Sequence, residues 1–219
     1  MIHCAALSRR QLSQGVWHHY LLALREASRF LVIDRQGPGT NCERSSLIRA
    51  SSFRGGVDLI GEAFRGGIFH FLSDPKDGLT GCYEFFEDGL LVVENGRIAQ
   101  LGDAEPLVGE LDASVRIHEY AGKIICPGFV DTHVHYPQLA IIASYGESLL
   151  DWLECYAFDE EIKFDDADHS LKTANHFLDE LLRCGTTTAQ VFGTVHPESV
   201  EGFFTAAEKR DLRMICGKV

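Results

Sequence analysis

Hydrophobic and polar positions follow one pattern in the middle of the chain and another towards its end. Ile68–Leu72 alternates weakly, and the apolar runs Tyr83–Phe86, Leu90–Glu94 and Arg97–Leu101 follow it. Asn95-Gly96 separates the last two, and that dipeptide between apolar runs signals a hairpin, because both central residues of a type I′ turn need positive φ. Val115–Tyr120 and Lys123–Ile125 add two short strands, so residues 64–122 predict a small, mostly antiparallel β domain of sandwich type. From there the pattern becomes strand and helix in turn. Ile124–Asp131 reads as a strand broken at Pro127-Gly128, and Leu149–Tyr156 as a helix. Ala167–Arg183 is a second helix, with Leu171, Ala174, Phe177, Leu178, Leu181 and Leu182 at helical spacing and Gly185 just beyond as its stop. Thr186–Phe192 is rich in β-branched residues, Pro197 opens a helix with Val200, Phe203, Phe204 and Ala207 on one face, and Arg213–Val219 begins a third strand. Strands and helices that alternate across short turns predict a parallel α/β sheet over residues 123–219.

Composition changes that picture only at the front. The chain has 219 residues, 45% of them hydrophobic and 24% charged, which is ordinary for a globular protein. No apolar run reaches the roughly 18 residues that span a bilayer, and the net charge of −12 disfavours nonspecific binding to nucleic acid or anionic membrane. That charge is unevenly divided: +4 over residues 1–60, which hold eight Arg and no Lys, and −16 over the rest. The break predicts a boundary near residue 60. An Arg-rich, Ser-rich, acid-poor stretch with one amphipathic piece around Trp17–Phe30 fits either a targeting peptide or a disordered to loosely helical extension. Seven cysteines without a C-x-x-C suggest neither a zinc ribbon nor a disulfide framework, and so a reduced, cytoplasmic setting.

The candidate chemistry lies in Pro127-Gly128-Phe129-Val130-Asp131-Thr132-His133-Val134-His135. Side chains two apart on a strand point the same way, so Asp131, His133 and His135 are expected on one face, with the two imidazoles about 7 Å apart along the strand. A lone H-x-H is common by chance. Here it ends a strand that feeds repeating βα units, which is where α/β folds place their sites. Two histidines can share a metal ion but cannot complete a catalytic zinc site, which takes three protein ligands and a water. Asp131 suits bracing the strand end better than ligation, and His196, before a helix-opening proline, suits a cap. His118, His169 and His176 have no partners in the pattern, and Cys126 and Cys184 read as small buried hydrophobes.

The P-G-F-V-D-T-H-V-H segment resembles the signature that ends the first barrel strand in the metal-dependent amidohydrolase superfamily. The stretches that follow resemble its guanine deaminase branch: His135-Tyr136-Pro137-Gln138, Ala143 to Glu147, Leu149 to Leu153, Phe177 to Arg183, Gly185 to Ala189 and Val191 to Pro197. The resemblance runs over about residues 64–219 and stops short of residues 1–60. It implies a (β/α)₈ barrel, here only its first two βα units and the start of the third, preceded by a β-sandwich. It also implies one Zn²⁺ per complete site, held in part by His133 and His135, and a purine bound by His135, Tyr136, Pro137 and Gln138. The implied reaction takes guanine and water to xanthine and ammonia.

A barrel of this kind needs about 250 residues. The remaining histidines, the proton-shuttling Glu and all other catalytic groups are therefore expected beyond Val219, which makes this chain an inactive amino-terminal fragment, either a natural product or a truncated gene product. The resemblance is compatible with a homodimer for the complete enzyme. Two other readings stand beside it: another amidohydrolase, of cytosine deaminase or chlorohydrolase type, and a stand-alone module without catalysis. The cytidine-deaminase type of zinc site fails, because it needs P-C-x-x-C after an H-x-E and none is present.

Overall fold

The computed structural model describes residues 29–34, 46–49, 61–75, 78 and 80–218. The chain divides into two compact units, Met1–Pro127 and Gly128–Val219, each with its own sheet.

The first unit holds six strands: β1 (Arg29–Asp34), β2 (Ser46–Arg49), β3 (Glu62–Phe71), β4 (Tyr83–Glu94), β5 (Arg97–Asp103) and β6 (Arg116–Pro127). They lie in the order β2-β1-β6-β3-β4-β5, with neighbours antiparallel except for the parallel pair β3 and β6. Asn95 (φ 52°) and Gly96 (φ 73°) form the turn between β4 and β5. Apolar side chains alternate across the sheet. Phe64, Ile68, Leu91, Val93 and Ile125 cluster on one face, and Ala63, Leu90 and Val92 on the other. A short helix, α1 (Ala104–Glu110), supplies the second cluster with Ala104 and Leu107. The result is one mixed sheet with a helix on its flank, where the sequence pattern predicts a sandwich.

Three boundaries also differ from expectation. The gap expected between Tyr120 and Lys123 is a bulge inside β6, with Gly122 at φ 72°, and pairing to β3 jumps from Gly66↔Tyr120 to Gly67↔Ile124. The first unit therefore runs to Pro127, past the expected limit of residue 122. Within residues 1–60, where a disordered or loosely helical extension is expected, β1 and β2 pair with each other and β1 pairs with β6. Most of the amphipathic stretch around Trp17–Phe30 lies outside the described residues.

The second unit holds three parallel strands, β7 (Phe129–His135), β8 (Thr186–Phe192) and β9 (Arg213–Gly217), in that order. Gly128 lets β7 approach β8: a Cβ there would fall 2.8 Å from Thr187 Cβ and closer still to its Oγ1 and Cγ2. After β7 come a 3₁₀ turn (Tyr136–Ile141) and a helical run made of α2 (Leu149–Trp152), a π-helical turn (Leu153–Ala157), α3 (Phe158–Glu161) and a 3₁₀ turn (Ile162–Asp165). The helix expected at Leu149–Tyr156 thus extends further and is wound irregularly. Next is α4 (Ala167–Arg183), opened by Asp166, whose carboxylate accepts from Asp168 N at 2.8 Å and His169 N at 3.0 Å. Such a cap satisfies donors that the first helical turn leaves unpaired. Gly185 follows its end at φ 84°, in the role expected of it. The last helix is α5 (Pro197–Glu208).

Helices α4 and α5 enclose the core of this unit, which contains Tyr136, Phe164, Ala174, Phe177, Leu178, Ala189, Val191 and Phe203. They meet closely at Gly202, where a Cβ would lie 3.0 Å from Leu171 N and 3.1 Å from Ser170 C. No helix among the described residues is long and apolar enough to cross a membrane. Of the two cysteines read as buried, Cys126 is buried and its thiol is pushed up to about 11, while Cys184 lies exposed at the end of α4.

Gly202→Ala should destabilise the chain. Helix propensity favours the alanine by about 1 kcal/mol, but the new methyl meets main-chain atoms, and overpacking of that kind costs about 1–3 kcal/mol. A rise in the urea midpoint would show that the helices have room to part.

Candidate metal centre

Strand β7 is not regular where it matters. Asp131 pairs with Ala189 and Val134 with Val191, so three steps on β7 match two on β8. The extra residue lies at Thr132–His133, and bulges of this kind re-aim side chains beside functional sites. The alternation expected to put Asp131, His133 and His135 on one face is interrupted there. Asp131 turns its carboxylate back onto the chain and accepts His133 N–H at 3.0 Å, which is the bracing role read for it.

His133 and His135 do converge. Their Nε2 atoms lie 3.3 Å apart and their ring centroids 5.3 Å apart, closer than the strand rise alone would place them. Two nitrogens each about 2.05 Å from a zinc ion, at a tetrahedral angle, are about 3.3 Å from one another. The pair therefore has the spacing of two zinc ligands. Both rings rest on Phe192 from β8, each with its centroid 4.7 Å away, and His135 is nearly parallel to it at 21°. Neighbouring Val191 and Val134 point the other way, into the core.

Burial lowers the His135 pKa, and the nearby His133 lowers it further, against an opposing pull from Glu161. A lowered pKa keeps the ring neutral at pH 7, the state that can offer a lone pair. Nδ1 of His135 is buried with no hydrogen-bond partner among the described residues, so the ring's tilt is set by Phe192. No cluster of three or more His, Cys, Asp or Glu suited to a metal occurs among the described residues. Two donors fit zinc in spacing and chemistry but leave its coordination incomplete.

The other expected site residues separate. Tyr136, expected among the purine-binding residues, is fully buried in the core. Its hydroxyl donates to Ser199 O at 2.6 Å, and its ring packs on Phe164, Phe177 and Phe203. Burial pushes its phenol pKa well up. Pro137 is buried too, at the start of the 3₁₀ turn. Strand parity accounts for Tyr136: once His135 faces outward, its successor faces the core; Pro137 lies beyond the strand, in the turn. Gln138 is half-buried, and its Nε2 donates to Glu161 Oε1 at 3.0 Å. His196 precedes α5 as its cap residue. His118 stacks on Phe64 and His169 lies edge-on to Phe164, in neither case with the imidazole pair. Phe192 and Glu161 are the residues that sequence reasoning does not single out. Phe192 lies inside a stretch quoted above only for its resemblance, and Glu161 stands among five acids between residues 154 and 165 that look alike in the sequence.

Residues 124–219 match the Amidohydrolase family. The matched residues include the unit that carries the imidazole pair. Guanine deaminases are among the proteins the chain is similar to. The chain is 43% identical to guanine deaminase of Escherichia coli over 146 residues, 67% of this chain and 33% of that protein. It superposes on the structure of E. coli guanine deaminase with a TM-score of 0.67 at 41% identity, covering 72% of this chain and 37% of that one. The guanine deaminase of Bradyrhizobium japonicum gives 0.67 at 37% identity, covering 73% and 35%. The chain therefore spans about a third of the length of the relatives it matches. Residues 8–52 match a different family, Ureidoglycolate lyase, to which neither charge nor composition points.

Three outcomes test this geometry. Phe192→Ala should weaken Zn²⁺ binding by roughly 10–100-fold, the usual effect of losing a group that orients a ligand, with the circular dichroism spectrum unchanged. Tyr136→Phe should leave Zn²⁺ affinity alone and cost about 0.5–1.5 kcal/mol of stability, because the buried hydrogen bond to Ser199 O is lost while that carbonyl keeps its place in the helix. Acidification should release the ion: protonation removes the His135 lone pair, so binding persists at pH 7 and is lost as pH falls below the ordinary imidazole value of 6.5. Chelator competition across pH measures it.

Proposed function

We propose that the chain is part of a zinc-dependent guanine deaminase that converts guanine and water to xanthine and ammonia. The observation that carries the reading is the 3.3 Å convergence of the His133 and His135 Nε2 atoms at the end of β7, in a segment homologous to guanine deaminases. The proposal includes a partial (β/α)₈ barrel, of which β7, β8 and β9 with their helices are the first βα units. It also includes a small-molecule purine as substrate, a cytoplasmic setting and a homodimer for the complete enzyme.

A zinc ion held by His133 and His135 would supply Lewis acidity, lowering the pKa of water towards neutrality. The chain's own residues do the rest of what is proposed here. His133 and His135 donate two neutral imidazole lone pairs. Phe192 holds both rings at a fixed tilt, and its apolar face shields them from water on that side. Asp131 fixes the backbone at His133 so that the bulge cannot relax. Gln138 offers an amide, donor and acceptor together, to a ring edge that presents both. The proton-shuttling carboxylate and the further ligands come from elsewhere in the complete protein. The 219-residue chain is accordingly proposed to be inactive alone.

The test is ammonia release from guanine. A polypeptide in which this chain is extended to the length of its relatives should produce xanthine and ammonia in equal amounts, with at least a 10³-fold loss in His133→Ala and His135→Ala. The 219-residue chain alone should release no more ammonia than zinc in buffer. Hydrolysis of a triazine or a pyrimidine by the extended protein, with guanine untouched, would replace this reading with another amidohydrolase activity.

A further inference from the structure

Gln138 and Glu161 are 23 residues apart and meet through one hydrogen bond, Nε2 to Oε1 at 3.0 Å. Both are half-buried, one in the turn after β7 and the other at the last position of α3. A glutamine amide by itself is ambiguous, since its two ends differ little in size and either can face a ligand. A carboxylate is not, because when ionised it only accepts. The amide must therefore turn its NH₂ towards Glu161 and its carbonyl away, and a charge-assisted bond in a partly desolvated setting makes the reverse orientation costly.

We infer that Glu161 is a positioning residue that locks the Gln138 amide, so that Gln138 accepts through Oε1 and selects purines bringing a ring N–H to that point. The second Nε2 proton is left for an acceptor alongside. An N–H beside a carbonyl is the edge of a 6-oxopurine, where N1–H adjoins O6. Adenine presents the reverse order, an acceptor N1 beside a donor amino group. A free amide could flip to serve either base, whereas a locked one meets adenine donor against donor. The purine part of this inference rests on the deaminase reading; the lock does not.

Nitrogen-15 spectra of the 219-residue chain test the lock directly. The Gln138 side-chain amide, assigned by its loss in Gln138→Leu, should lie away from the position of a free glutamine. It should move there in Glu161→Gln and stay in place in Asp159→Asn, whose exposed carboxylate adjoins the same turn. Acidifying the unsubstituted chain until carboxylates protonate should shift the same signal, without relying on a variant's folding. A Gln138 amide already at the free position, unmoved by Glu161→Gln, overturns the proposal. In the extended, zinc-loaded protein, Glu161→Gln should raise KM for guanine several-fold with kcat changed less, and should narrow the preference for hypoxanthine over adenine as inhibitor. An unchanged preference overturns the selective role. A locked amide in a protein that does not turn over guanine upholds the lock and removes the deaminase reading.

Discussion

Two imidazole nitrogens held 3.3 Å apart on one strand end are the constraint around which the second unit is organised. Two neutral rings with lone pairs aimed at one point repel, and two protonated rings repel more. The arrangement is comfortable with one proton or one cation between them: a hydrogen bond from one Nε2–H to the other ring's lone pair, or a shared metal ion. The fold holds it with three local devices. A bulge in β7 turns His133 towards His135, the Asp131 carboxylate ties down the backbone at the bulge, and the Phe192 ring from β8 supports both imidazoles.

Those devices depend in turn on the opposite face of the same three strands. Val134, Val191, Met214 and Cys216 face the helices, and the first residue beyond β7, Tyr136, is driven fully into that core and bonded to Ser199 of α5. Chemistry and packing are thus one residue apart along the chain. The core residue anchors the point at which β7 ends, beside the imidazole pair. Arg210, just past α5, reaches Asp179 and Asn175 on α4 and holds the two covering helices together at their far ends.

Much of this was legible in the amino-acid sequence wherever a local rule applies. The span Ala167–Arg183 was readable to the residue, because its apolar spacing and the glycine beyond it are short-range signals. The hairpin at Asn95-Gly96 and the strand Thr186–Phe192 were readable for the same reason. The two histidines stood out by spacing and by the segment around them. What failed to show depends on distant pairing. The β7 bulge exists only relative to β8, the support from Phe192 spans more than fifty residues, and the partner of Gln138 could not be told apart among neighbouring acids. The burial of Tyr136 was hidden by its place in a site-like motif. Strands β1 and β2 were hidden by a composition that suggests a tail, since a strand's partner is not written in its own residues.

The five-residue π-helical turn from Leu153 to Ala157 gives this part of the chain an unusual intolerance. Each residue added to or taken from a helix rotates everything downstream by about 100°. The wide turn therefore acts as a phase setting for α3, and the face on which Glu161 emerges depends on how many residues precede it. A substitution in that segment need only preserve its winding, but a single-residue deletion would swing the carboxylate a quarter-turn or more around the axis. Spacing in this stretch carries as much information as residue identity, and it would be lost in any comparison that treats gaps there as neutral.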